Sequence, residues 1–220
     1  MPTVAVLPIK SFAEAKRRLR HRLGEGERRA LAEAMFCDVL IALRRASTVQ
    51  SIIVVSADHS AQQIAAGYGA AVVADDNRGH SPAAVLGVEA AISGGADRAV
   101  LVPGDCPALD PKELDELITR EPAAPRSVLI VPDRHGTGTN ALLLTPPDAM
   151  TPSFGPDSRR RHRSDAEAAG LHAEVVELAT LALDVDTHDD LEALQARLAS
   201  THGGAAHTRG MLNQLMRSRA

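Results

Sequence analysis

Two rhythms of apolar residues alternate along this chain. Short continuous runs at residues 4–7, 51–56, 70–74, 99–102, 127–131 and 140–144 are bounded by Pro, Gly, Ser, Thr or Asp, the signature of buried strands. Between them lie stretches with helical spacing. In residues 27–46, Leu31, Met35, Val39, Ala42, Leu43 and Ala46 recur at three- and four-residue steps, so one face of a helix is apolar. Shorter helices are predicted at 61–67 and 83–93. Another starts at Asp110, where an N-cap acid, Pro111 and Glu113 open a turn that runs to about residue 120. Residues 173–178 and 181–186 read as two more strands, with Thr187 capping a last helix over 189–198. Residues 11–23 are helix-like or loop. Residues 75–82, 133–138 and 146–163 read as irregular, with helix over 165–170.

This β/α alternation predicts a three-layer α/β/α domain with a mainly parallel sheet, spanning residues 1–200. After residue 200 the chain turns to THGGAAHTRG and a basic end without acids. That 201–220 tail is expected to be disordered or to dock on a neighbouring molecule. A homodimer through the tail or an exposed helix is compatible with the pattern, though no residue specifies one.

Composition narrows the class. A chain of 220 residues buries roughly 70% of its unfolded surface and folds without disulfides or structural metal. Aromatics are only 2% and net charge is −4, which argues against a base-stacking platform or a basic field for nucleic acid. Cys37 and Cys106 have no CxxC partner, and the nine histidines show no zinc spacing. The N-terminus enters a strand at once, so no signal peptide is expected. No window is apolar enough for a membrane span, and the expected location is the cytoplasm.

Four groups of residues carry candidate chemistry. The apolar run at 99–102 leads through Pro103-Gly104 to Asp105, at the carboxyl end of a strand, where open α/β sheets bind ligands. Asp184 and Asp186 are two apart, so in a strand they project to one side about 6–7 Å apart at Cα. Two full charges at that distance repel by roughly 2.5 kcal/mol at an effective dielectric near 20. Mg²⁺, which takes one or two carboxylates plus phosphates and water, would compensate them; the alternative is a helix cap beside a solvated acid. Lys10 ends the first strand, with Lys16 just beyond, and a polyphosphate needs such point charges. In DRHGTGTNAL (133–142), Gly136 and Gly138 free the backbone to approach a ligand, while Thr137 and Thr139 add hydroxyls. In SFGPDSRRRHR (153–163), Gly155 and Ser158 could bind a small phosphorylated acid within the field of Arg159 to Arg163. A mobile basic loop is the alternative there.

At these residues the chain resembles the 2-phospholactate/phosphoenolpyruvate guanylyltransferase family, which makes the activated precursor of the deazaflavin coenzyme F-420. The blocks PIKSFAEAKRRL, GDCPAL, DRHGTGTNAL with SFGPDSRRRH, and DVDTHDDL stand in the family's order. GD-x-P alone is shared by many nucleotidyltransferases; the combination of GTGTNAL with FG-x-x-S is more particular. The resemblance implies a Rossmann-like fold of the nucleotide-diphospho-sugar-transferase type, similar also to molybdopterin nucleotidyltransferases. It implies catalytic roles for Lys10 and Asp105, contact of Lys10 and Lys16 with GTP, and Mg²⁺ on Asp105, Asp184 and Asp186. Thr139, Gly155 and Ser158 would bind the three-carbon phosphate. One departure stands out: Ser81-Pro82 replaces a Leu-Asn pair whose asparagine is expected to help hold the nucleoside.

The expected reaction is transfer of GMP from GTP to phosphoenolpyruvate, with 2-phospholactate or 3-phosphoglycerate as alternative acceptors. A nucleotide-sugar glycosyltransferase would use the Asp184-x-Asp186 pair differently. A nucleic-acid-binding or scaffolding protein would rest on the arginine run, against the charge and aromatic content.

Overall fold

The apolar runs at residues 4–7 and 99–102 lie side by side at the centre of one sheet. In the computed structural model, which describes residues 1–217, β1 (Thr3–Pro8) is buried along its whole length. It pairs in parallel with β2 (Val49–Ser56) on one side and β4 (Arg98–Leu101) on the other. Beyond β2 lies β3 (Ala71–Ala74). Beyond β4 come β6 (Thr139–Thr145), β5 (Ser127–Pro132) and β7 (His172–Val175), for a sheet order of β3-β2-β1-β4-β6-β5-β7. Only β6 runs against the rest, antiparallel to both β4 and β5.

Helices cover both faces. On one side α1 (Glu25–Arg45), α2 (His59–Gly67) and α4 (Pro111–Thr119) contribute Phe36, Leu40, Ala61 and Leu114 to a core shared with Leu7, Val54 and Val100. On the other side α3 (His80–Ser93) and α5 (Ser158–Ala168) pack Ala84, Val88 and Ala166 over Val6, Val55 and Leu101. Gly87 of α3 faces Val6 and Val55 so closely that a methyl group in its place would collide with both. The three-layer α/β arrangement is the predicted one.

Three segments differ from expectation. Residues 181–186 form no strand. Their side chains do alternate, with Leu181, Leu183 and Val185 buried, but the segment is extended chain outside the sheet. Leu183 and Val185 pack into a separate cluster with Leu19, Leu31 and Met35, so apolar burial sets the alternation without a ladder partner. Helix α5 begins at Ser158, inside the stretch expected to be irregular. After α6 (His188–Ser200), α7 (Ala206–Arg217) replaces most of the expected tail and packs on α1 of its own chain; residues 218–220 lie outside the described residues. Thr208, Leu212 and Leu215 are its buried stripe. The buried carboxylate of Asp38 on α1 receives the backbone N–H of His207 (3.1 Å) and Thr208 (2.7 Å), doing for α7 what an N-cap side chain normally does.

Candidate functional site

Because α2 and α3 lead the chain out to β3 and back to β4, β1 has β2 on one side and β4 on the other. Such a reversal opens a crevice at the carboxyl ends of the strands. The crevice here is an open pocket of about 470 Å³, floored by Pro8, Ile9 and Gly104. Since β6 runs backwards, its first residues, Thr139 and Asn140, arrive at the same rim where β1 and β4 end.

The eight residues to which the family resemblance gives roles line this pocket, namely Lys10, Lys16, Asp105, Thr139, Gly155, Ser158, Asp184 and Asp186. Gly138 joins them; Gly136, Thr137 and Arg159 to Arg163 are not among its lining residues. Lys10 follows β1 and is exposed at the rim. Lys16 lies between two short 3-10 turns at residues 12–14 and 17–19, with φ of 56°. That left-handed conformation is strained for a residue with a side chain. Its ammonium bonds Asp105 and, at 3.0 Å, the Oδ1 of Asp186, and its side chain is only 7% exposed. Burial alone would lower the lysine's pKa, but Asp105 and Asp186 outweigh it and raise it.

The expectation of three carboxylates around one divalent ion therefore takes a different form. Among the described residues, no three acidic, His or Cys groups are arranged as a metal cluster. Two of the acids share a lysine instead. The third, Asp184, accepts a hydrogen bond from Asn140 at 3.1 Å. Its pKa is pushed up to about 6 by burial and by the negative charge of Asp105 and then Asp186. One ammonium thus leaves the set with surplus negative charge. An all-oxygen donor set of this sign fits Mg²⁺, which needs only one or two protein carboxylates.

Neighbouring residues hold the acids in place. The Nδ2 of Asn140 also donates to the carbonyl of Leu181 at 2.7 Å, tying the extended 181–186 segment to β6. Buried Asp190 accepts from the backbone N–H of Asp186 (3.1 Å) and Thr187 (2.7 Å), and Arg134 pairs with it at 2.7 Å. The 133–138 loop is thereby anchored beside Asp186. Asn140 was not among the predicted site residues; the signal was a polar residue opening an otherwise apolar strand.

On the opposite wall, Ser158 is 2% exposed at the first residue of α5. Its backbone N–H reaches the carbonyl of Gly155 at 3.1 Å. Gly155 has φ of 120°, a conformation open to glycine. The first turn of α5 favours an anion. Arg159 to Arg163, expected as a loop, lie on this helix. At the departure Ser81-Pro82, α3 has already begun. His80 lines the pocket, stacked edge-on against Phe154 at 4.9 Å, and Ser81 Oγ donates to the Phe154 carbonyl at 3.4 Å. His80 is a further pocket residue, and no motif in the sequence marks it.

A switch-point pocket with acids and lysines on one wall and a helix N-terminus on the other is the arrangement of an α/β nucleotidyltransferase. The fold agrees: a nucleotide-diphospho-sugar transferase, so described, from Desulfovibrio desulfuricans G20 superposes with a TM-score of 0.74 over 99% of this chain and 98% of that one, at 18% identity. The chain belongs to the family described as guanylyl transferase CofC like, which it matches over residues 3–218. It is similar to the phosphoenolpyruvate guanylyltransferase of Conexibacter woesei, 54% identical over 99% of this chain and 98% of that protein. It is also similar to the 2-phospho-L-lactate guanylyltransferase of Methanothermobacter thermautotrophicus, at 31% identity over 98% of this chain and 92% of that protein. No helix among the described residues is long and apolar enough to cross a membrane.

Proposed function

We propose that this chain transfers a guanylyl group from GTP to phosphoenolpyruvate, forming enolpyruvoyl-2-diphospho-5'-guanosine and pyrophosphate. The observation that carries the reading is the convergence of Lys10, Lys16, Asp105, Asp184 and Asp186 opposite Thr139, Gly155 and Ser158 in one pocket. The relative at 54% identity bears that activity in its name, which favours phosphoenolpyruvate over 2-phospholactate or 3-phosphoglycerate. The family resemblance supports a role for the product in assembly of coenzyme F-420, and the reading carries with it a cytoplasmic location.

A phosphate oxygen of phosphoenolpyruvate attacks the α-phosphorus of GTP. The bond from that phosphorus to the α,β-bridging oxygen breaks, and pyrophosphate leaves with the electron pair. The attacking phosphate has a second pKa near 6, so it is mostly ionised at pH 7 and needs no general base. The protein's task is positioning and charge neutralisation. Thr139, the backbone around Gly155, and Ser158 at the start of α5 hold the acceptor phosphate. Lys10 at the rim neutralises the triphosphate, and Lys16 keeps Asp105 and Asp186 in register with it. Asp105 and Asp186, with Asp184 behind them, are the residues that would hold Mg²⁺. When bound, the ion supplies further charge neutralisation on the phosphates.

The test is incubation with GTP, Mg²⁺ and each three-carbon phosphate in turn, with pyrophosphate release and product mass as readouts. The enolpyruvoyl product from phosphoenolpyruvate is expected. A product only with 2-phospholactate or 3-phosphoglycerate would reassign the acceptor. Transfer from a nucleotide sugar without pyrophosphate release would overturn the reaction class.

A further inference from the structure

The imidazole of His162 on α5 is completely buried and belongs to none of the acid or lysine groups above. Both of its nitrogens are engaged. Nε2 lies 2.9 Å from the backbone nitrogen of Ser153, and Nδ1 lies 3.0 Å from Oγ1 of Thr139. A backbone N–H can only donate, so Nε2 must be the bare, accepting nitrogen. In a neutral ring the proton then sits on Nδ1 and is donated to the Thr139 hydroxyl. That hydroxyl therefore accepts from behind, and its own proton turns toward the pocket that Thr139 lines.

We propose that His162 is a positioning residue: it sets the Thr139 hydroxyl as a donor toward the anionic end of the acceptor and, through the Ser153 N–H, holds the 153–158 wall in the same frame. The inference rests on the acceptor-binding role given to Thr139 above. Its geometry joins two walls that are far apart in sequence, since Thr139 opens β6 while Gly155 and Ser158 follow Ser153 by two and five residues. Phe154 closes over the ring edge-on, with centroids 5.3 Å apart. Protonation of the ring would put an N–H on Nε2 against the Ser153 N–H. Burial works against it, and so does Arg161, with Asp165 the opposing charge; together they push the pKa down to about 4. A threonine hydroxyl otherwise rotates among donor and acceptor roles. Fixed as a donor, it suits a phosphate or carboxylate oxygen and discriminates against a ligand group that must itself donate.

Two measurements on the full chain test this. Nitrogen-15 NMR of His162 at pH 7 should show the neutral Nδ1–H tautomer; the Nε2–H tautomer would overturn the proposal whatever the enzyme does. In steady-state kinetics, His162→Leu should raise KM for phosphoenolpyruvate about tenfold while KM for GTP stays within about twofold. His162→Asn, whose amide can stand in for Nδ1–H, should recover most of the loss. Thr139→Val should reproduce the effect and Thr139→Ser should not, which keeps the test open if His162→Leu fails to fold. Equal changes in both KM values, or a change in kcat alone, would reduce His162 to a packing residue. If the wild-type chain turned over no three-carbon phosphate, the acceptor reading would fail, while the tautomer would still decide the His162–Thr139 bond.

Discussion

Lys16 Nζ lies 3.0 Å from Oδ1 of Asp186, a residue 170 positions later in the chain, and the same ammonium bonds Asp105. One cation thus joins the end of β4 to the segment before α6. With Lys16→Met, Asp105, Asp184 and Asp186 face one another without it. Loss of a preorganised charge from such a site costs about 10²–10³ in rate, so kcat should fall by at least about 10²-fold. Lys16 is 7% and Asp105 27% exposed, so breaking this largely buried pair should also cost about 3–5 kcal/mol of stability. The bond to Asp186, 51% exposed, is screened and adds little. Pyrophosphate-release kinetics beside a denaturant titration would separate the two effects.

Burial of neutral His162 makes stability depend on pH with a definite sign. Its pKa falls from an ordinary 6.5 to about 4 on folding, so between those values the unfolded chain binds the extra proton. Its contribution is fully present above pH 6.5 and is lost as pH falls toward 4. Asp184, raised to about 6, acts in the opposite direction in the same window, so the comparison must be between variants. The stability advantage of wild type over His162→Asn should shrink by about 2 kcal/mol between pH 7 and pH 5. Urea titrations of both proteins at the two pH values would show it; an unchanged difference would contradict the neutral buried ring.

Asp38 holds α7 to α1 through two backbone N–H groups. With Asp38→Ala both donors lose a charged acceptor, and bonds of that kind are worth roughly 1.5–3 kcal/mol. Limited proteolysis should then cut near Gly203-Gly204 at protease levels the wild type resists. Equal resistance of the two proteins would show that the packing of Leu212 and Leu215, with the Arg209 bonds to the carbonyls of Leu198 and Thr201, secures the helix without Asp38.

At Gly87 two effects compete. Alanine in a helix interior is favoured over glycine by about 1 kcal/mol, but here its methyl would run into Val6 and lie 3.0 Å from Val55 Cγ2. Both valines are buried in the sheet, and overpacking of this kind costs about 1–3 kcal/mol. The clash should win, so Gly87→Ala should lower the denaturation midpoint; a raised midpoint would mean that α3 can lift off the sheet at little cost.

Most strands and helices were legible in the chain because apolar spacing is a local property. Runs such as 99–102 can be buried on both faces in few other ways, and Asp110-Pro111 marks a helix start by its own chemistry. Where sequence pattern and structure differ, two structures share one pattern. Alternation over 181–186 serves a strand and an extended segment packed on Leu19 and Met35 equally well. The stripe of Thr208, Leu212 and Leu215 has helical spacing, yet its few apolar positions were outweighed by the polar residues around them.

By itself, the order of residues determined the βα alternation, the position of Asp105 at a strand's end and the pairing of Asp184 with Asp186 two residues apart. Only the tertiary structure decided that β6 runs backwards, which brings Thr139 and Asn140 to the rim where β1 and β4 finish. It alone also placed Lys16 between two acids and His162 behind Thr139. Those relationships depend on strand direction and side-chain burial across the whole sheet, and spacing within a segment carries no information about either.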